Sequence, residues 1–233
     1  MIYIQHAADL WSAHPGLVAG VVAATGITPD GDTGAAVEEF TSLALARLAT
    51  GQEAAFPEIQ AWRRAFTRMG LRPTQYRCAS EALLRRLRKD GELPRIHPLI
   101  DLCNAISTAF AIPVAALDVT RVSKGLDVRH AHGDETYHTL SGETEHPVPG
   151  EVIFADAAGH AHARRWTNRQ SGHSAVRDTT ASVLIVAEAM HESAAEDVPR
   201  LIGALTSRLS EVFGGTPSTA LLTATAPRAE FPV

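Results

Sequence analysis

The longest apolar run in this 233-residue chain is "ASVLIVAEAM", residues 181–190. That is about half of the ~20 residues a membrane-spanning helix needs, so the run reads as a strand or a short helix. A second run, "GLVAGVVAA" at 16–24, ends at "TG" and the loop "ITPDGDTG". It predicts a buried strand followed by a turn. No membrane span is expected. The opening "MIYIQHAADL" has no basic segment ahead of a long apolar core, so no signal peptide is expected either.

Between these runs the spacing is helical. In 35–49 Val37, Phe40, Leu43, Ala44 and Leu48 share one side, and Gly51 is a stop signal. In 57–69 Pro57 stands at a helix entry, with Ile59, Trp62, Arg63, Phe66 and Met69 three or four apart. In 80–89 Ser80 is expected as N-cap, and Leu83, Leu84 and Leu87 form the buried stripe. A mostly apolar helix is expected over 96–110, with Asp101, Asn104 and Ser107 on one face. From 112 to 190 short strand-like segments alternate with Gly, Pro and Asp turns. A last amphipathic helix is expected over 195–213, then an irregular tail or edge strand over 216–233. No repeat or linker divides the chain. The pattern predicts one compact domain over 1–233, of mixed α/β class, with flanking helices.

The hydrophobic fraction of 45% is enough for a sizeable core without disulfides. Net charge is −5, which argues against a wide basic face for nucleic acid but leaves room for a local patch. Cys78 and Cys103 lack CxxC spacing. Two reduced, buried thiols in a cytoplasmic protein are the simplest reading, with a single disulfide left open.

The most polar stretch is "RRWTNRQSGHSAVRDTT", residues 164–180, set between "EVIFAD" and the long apolar run. It is either a solvated loop or a pocket that reads a small ligand. Other chemistries are poorly supported. His130 with His132, and His160 with His162, are strand-spaced pairs, but no HExxH, fixed carboxylate or cysteine cluster joins them, so no metal is expected. There is no GxSxG elbow, and His173 beside Ser174 would point to different faces. Neither GxxxxGK[ST] nor GxGxxG occurs. No cofactor is expected.

The segment "RIHPLIDLCNAISTAFAIPVAALD" resembles the tRNA-editing domain in the beta subunit of bacterial phenylalanyl-tRNA synthetase. The resemblance is carried by Arg95, Ile96, Leu99, Ile100, Asp101, Asn104, Pro113 and Asp118. A second signature is carried by His173, Ser174, Ala175, Val176, Asp178 and Thr180. "GEVIFAD" is similar to the strand leading into that site. Tyr76, Arg77, Ser80, Glu81, Leu84, Arg85, Arg86 and the "RRWTNRQ" run look like free-standing members of the family. The likeness spans about 77–190.

In the synthetase this domain hydrolyses tyrosine wrongly attached to phenylalanine tRNA. The resemblance therefore implies a mixed α/β fold and a metal-independent aminoacyl-tRNA deacylase acting in trans on the aminoacylated 3′ end of tRNA. A monomer is the simpler expectation. Asn104, Arg169, Ser174 and Thr180 are the candidate catalytic residues. Asp101, Ser107, Trp166, Asn168, Gln170, Gly172, His173 and Asp178 are candidates for holding substrate, Trp166 by stacking on adenine. Arg77, Arg85 and Arg86 are candidates for the tRNA backbone. The family's glutamate that reads the tyrosine hydroxyl falls at Gly172, a family histidine at Ala115, and a Gly-Gly pair at Gln170 and Ser171. Tyrosine is thus an unexpected substrate, and Gly172 with Ala115 is expected to leave space for another side chain. Two rivals stay open: a binding module without turnover, and a hydrolase of another small aminoacyl ester.

Overall fold

The computed structural model describes residues 1–232. β1 (Ile2–His6) and α1 (Ala8–Ala13) lead into β2 (Val18–Thr25). Four helices follow: α2 (Gly34–Thr50), α3 (Pro57–Arg68), α4 (Ala79–Asp90) and α5 (Pro98–Phe110). Then come β3 (Val114–Asp118), β4 (Gly125–His130), β5 (Tyr137–His138), β6 (Thr144–Glu145), β7 (Val152–Ala155), β8 (Ala161–Arg164), β9 (Arg169–Gln170) and β10 (Ser182–Ala189). The chain ends with α6 (Ala194–Phe213), β11 (Ser218–Leu222) and β12 (Arg228–Phe231).

The strands make a six-stranded sheet, β12-β1-β4-β7-β8-β9, and a four-stranded sheet, β11-β2-β10-β3, beside the small β5-β6 pair. Only β1 and β4 run parallel; every other neighbouring pair is antiparallel. The two long apolar runs are the central strands of the four-stranded sheet. Side chains alternate across a strand. Val22, Ala24, Val183, Ile185 and Ala187 pack with α2, α5 and α6. Val21, Ala23, Leu184 and Val186 face the other way, into a core shared with Ile4, Leu126, Val128 and Phe154 of the six-stranded sheet and with Trp62, Phe66, Leu84 and Leu87 of α3 and α4. Covering both faces is why these runs are unbroken rather than alternating with polar residues. Gly20 lets α6 lie against β2: a Cβ there would fall 2.4 Å from Ile202 Cγ1. The result is a mixed α/β domain, helices on a four-stranded sheet on a six-stranded sheet.

Three local readings are corrected and one open alternative is decided. β1 and α1 had no counterpart in the pattern analysis, because five residues alternating inward and outward are too short to stand out. Of the two readings of the C-terminal segment the edge strand holds: β11 lies antiparallel to β2 and β12 to β1, so it edges both sheets. Ser80 is not the N-cap of α4. The helix starts one residue earlier, and the buried Ser80 hydroxyl donates to the Ala111 carbonyl at 3.0 Å, joining α4 to the end of α5. α5 starts at Pro98, where the His97 ring accepts from the Leu99 N–H at 3.2 Å.

Both cysteines are free and buried. Burial pushes the Cys78 thiol up to about 11 and the Cys103 thiol up to about 12, so both are inert. No helix among the described residues is long and apolar enough to cross a membrane.

Candidate functional site

The turn between β8 and β9 holds Arg165 and Trp166 at positive φ, 49° and 59°, a backbone region rare for bulky residues. What holds it there is tertiary. The Trp166 N–H bonds the Val152 carbonyl at 2.7 Å, the Ala79 N–H bonds the Thr167 carbonyl at 2.8 Å, and the Asn168 amide donates to the Arg77 carbonyl at 2.7 Å. The turn is thereby fastened to the start of α4. Strain of this kind persists only where the surroundings over-determine it, and it concentrates at functional sites.

A small cleft of about 60 Å³ opens beside this turn, between the two sheets. Its apolar wall is Pro113, Val114, Ala115, Phe154, Ala163 and Val186; Thr167, Asn168, Arg169 and Gln170 bring polar groups to it. Glu188, from the apolar β10 run, also lines it. Its Oε1 takes two bonds, from Trp166 Nε1 at 2.9 Å and with His6 Nε2 at 2.6 Å. Oε2 has no partner among the described residues. The lone carboxylate in "SVLIVAEA" was the signal for it, and pattern analysis passed over it as part of the strand.

The sequence-derived candidates divide into groups. Trp166, Asn168, Arg169 and Gln170 come together at the cleft. Trp166, however, has no exposed surface; its ring stands edge-on to Trp62 and His14 at 5.1 and 5.0 Å, so it is unable to stack on adenine. Arg169 reaches Glu145 at 3.2 Å. Gln170 donates to the Ala116 carbonyl and accepts at its own carbonyl from Tyr137 at 2.8 Å.

The α5 face lies apart from this cleft. Asp101 accepts from the Ile96 N–H at 2.8 Å, closing the start of the helix, and Ser107 donates to the Ile112 carbonyl at 2.6 Å, closing its end. Asn104 is half-buried between them, and none of the three lines the cleft. Ser174 and Thr180 are buried and committed elsewhere. Thr180 donates to Asp118 Oδ2 at 2.7 Å, and the Ser174 carbonyl accepts from the Asp118 N–H at 2.9 Å. Together they tie the 174–180 loop to the end of β3. Asp178 is exposed on that loop.

Gly172 is also corrected. The space beside it is filled: a Cβ there would lie 2.7 Å from the Thr139 carbonyl oxygen. Its N–H bonds the His138 carbonyl at 2.8 Å. The glycine permits two backbones to touch and opens no room for a substrate.

The histidines are not distributed as simple strand-face pairs. His162 is fully buried; its Nδ1 is 2.8 Å from Ser174 Oγ and its Nε2 is 3.2 Å from Asp156 Oδ2. This Asp–His–Ser chain is sealed from solvent, so no substrate carbonyl reaches the hydroxyl. Burial alone would raise the Asp156 carboxyl, but the His162 ring and the backbone N–H groups of Ser123 and His160 hold it well below the usual range. His160 points instead toward His138 and His173. The three are half-buried, and one ring nitrogen from each lies within 4.8 Å of one from each of the others. Burial, then the neighbouring His160, His162 and His138 rings, lower the His173 pKa.

Nine of the chain's 21 Lys and Arg residues fall between Arg63 and Lys89, against one carboxylate, Glu81. Arg77 is shared with Glu81 and Arg85 with the buried Glu53, at 3.5 and 3.3 Å, and Arg86 with Asp90 at 3.6 Å. Arg64, Arg68 and Arg72 are exposed, and no motif in the sequence marks them.

A family model described as the B3/4 domain matches residues 61–224, and the chain belongs to that family. Over 74 residues it is 36% identical to the phenylalanine–tRNA ligase beta subunit of Thiobacillus denitrificans, covering 32% of this chain and 9% of that one. Over 60 residues it is 42% identical to the beta subunit of Coxiella burnetii, covering 26% and 7%. The matched stretches are thus under a tenth of the length of those curated relatives. The fold is similar to the crystal structure of an N-terminal fragment of the phenylalanyl-tRNA synthetase beta-subunit from Pyrococcus horikoshii, with a TM-score of 0.51 and 12% identity over 92% of this chain and 49% of that one. At that identity the likeness is one of fold.

Proposed function

We propose that this chain is a trans-acting deacylase of mischarged tRNA, and that the cleft between its sheets reads the amino acid. The observation that carries this is the cleft itself, in a B3/4 domain: an apolar wall ending at Ala115, a polar turn at its rim and one carboxylate, Glu188, inside. An aminoacyl ester presents the matching parts. Its side chain fits against Val114, Ala115, Phe154, Ala163 and Val186. Its α-ammonium meets the open Oε2 of Glu188. Its carbonyl meets a donor from Arg169, placed where charge develops during hydrolysis. The ester is already activated, so a positioned water suffices, and the vicinal ribose hydroxyl of the terminal adenosine relays the proton. The exposed arginines of α3 and the turn after it provide a backbone contact for the acceptor stem.

The position of the family glutamate that reads a tyrosine hydroxyl is Gly172, outside this cleft, and the one carboxylate inside it, Glu188, is assigned to the α-ammonium, so Tyr-tRNA(Phe) is expected to be a poor substrate. The test is deacylation of a panel of misacylated tRNAs by the purified protein. Rapid loss of one or a few amino acids supports the reading. Retention of every amino acid with intact tRNA binding would leave a binding module in its place.

A further inference from the structure

The His138, His160 and His173 cluster lies outside the cleft lining, and the ester reading makes no use of it. Ring centroids of His160 and His173 are 4.3 Å apart and their planes 16° from parallel; His138 stands 6.2 and 5.6 Å from the two. The three come from separate places in the chain: β5, the entry to β8, and the loop after β9. Backbone pairing holds them together. Thr136 and His160 form an isolated bridge, and the Gly172 N–H and Ser171 hydroxyl both bond the His138 carbonyl, at 2.8 and 2.9 Å. Gly172 is what allows this approach, since any Cβ would meet the Thr139 backbone.

We propose that His138, His160 and His173 bind one divalent metal ion of the zinc class. Neutral imidazoles are ligands for zinc, copper and nickel rather than for magnesium or calcium. Two of the rings have an oxygen beyond one nitrogen: Thr144 Oγ1 is 3.3 Å from His138 Nδ1, and Asp156 Oδ2 is 3.5 Å from His160 Nδ1, which is buried and makes no hydrogen bond. A carboxylate behind a ligating histidine is the usual outer support of such sites; it fixes the ring's tautomer and orientation. Asp156 is itself held by the Ser123, Ala158 and His160 N–H groups, each at 2.9 Å. In a tetrahedral zinc site with bonds of about 2.0–2.1 Å the nitrogens are about 3.3 Å apart. The rings therefore swing inward from spacings of up to 4.8 Å, a side-chain motion at half-buried positions. Three protein ligands leave the fourth position for water or a carbonyl oxygen, the pattern of open rather than closed zinc sites.

This inference stands apart from the ester reading and is tested without it. Protein lacking a polyhistidine tag is stripped with chelator and titrated with Zn(II) by calorimetry, and with Co(II) by visible absorption. The expected result is one equivalent bound, with Co(II) bands of four-coordinate intensity. Affinity should fall by more than about a hundredfold in His160→Ala and in His173→Ala, since losing even an outer partner costs 10–100-fold. His130→Ala, an exposed histidine outside the cluster, should bind as the parent does. Far-UV circular dichroism identifies any variant that fails to fold; the unmodified protein then decides through metal-induced shifts of the three histidine ring resonances. Absence of stoichiometric binding to the unmodified protein, or equal binding by the His160 and His173 variants in folded form, would overturn the proposal.

Discussion

Glu188 and Trp166 show how single residues divide the work at the cleft. Trp166 Nε1 and His6 both bond Glu188 Oε1, so the carboxylate is oriented by its neighbours and presents its other oxygen. Glu188→Gln keeps the shape and removes the charge. It should raise KM for aminoacyl-tRNA by about tenfold or more, as expected for losing one charge-assisted bond of about 1.5–3 kcal/mol. N-acetyl-aminoacyl-tRNA, which has no ammonium, should be hydrolysed equally by parent and variant. An equal loss on both substrates would assign Glu188 to scaffolding alone. Trp166→Ala removes a fully buried ring packed on Trp62 and His14. It should cost about 3–5 kcal/mol of stability, seen as a shifted denaturant midpoint. A stable but inactive variant would return Trp166 to the adenine-stacking role. Sequence pattern placed Asn168, Arg169 and Gln170 near one another because they are consecutive. It could not show that the indole beside them turns inward, since that depends on a positive-φ backbone imposed by β7 and α4.

At the scale of elements, turns are fixed by polar caps, and one of them makes the fold acid-sensitive. The buried Glu135 accepts from the His132 N–H at 3.0 Å, from Arg129 at 2.5 Å and from the Gly133 N–H at 3.0 Å. Burial would raise its carboxyl, but these bonds outweigh burial and bring it down to about 2. A carboxyl depressed in the folded state stabilises the protein above its ordinary pKa and loses that contribution as pH falls toward the folded value. The loss therefore falls between about pH 4.5 and 2 and amounts to no more than about 3.4 kcal/mol at 1.36 kcal/mol per unit. Glu135→Gln should be less stable than the parent at neutral pH and lose less stability over that window in chemical denaturation. Parallel pH profiles would contradict it. Helices α2, α3, α5 and α6 were legible from apolar spacing, because each lays one face on the core. β1 was not, and the segment carrying β11 and β12 was legible only as an irregular tail or an edge strand. Short edge strands take their identity from the partner strand, and that information is distant in sequence.

For the molecule as a whole, charge is distributed against its total. A chain of net charge −5 concentrates nine basic residues between Arg63 and Lys89, on α3, the turn after it and α4. Arg64→Ala, Arg68→Ala and Arg72→Ala combined should weaken tRNA binding similarly for different tRNAs and reduce the salt slope by about one for each phosphate no longer neutralised. An unchanged slope in filter binding would place the tRNA elsewhere. The α5 signature pointed to the right family, and the residues that carry it lie apart from the cleft. Asp101 and Ser107 secure the ends of a helix that supports the four-stranded sheet, and the cleft lies across that sheet, where only tertiary structure brings β3, β8, β9 and β10 together.

The central claim is that the cleft reads the amino acid, and Ala115→Phe tests it most directly. Ala115 is partly exposed in β3 and lines the cleft, so a phenyl ring there occupies the space assigned to the substrate side chain. On the best substrate of the misacylated panel, kcat/KM should fall by at least about a hundredfold, while affinity for uncharged tRNA and the melting temperature stay near those of the parent. Unchanged kcat/KM in a folded Ala115→Phe protein would show that the amino acid is read somewhere else.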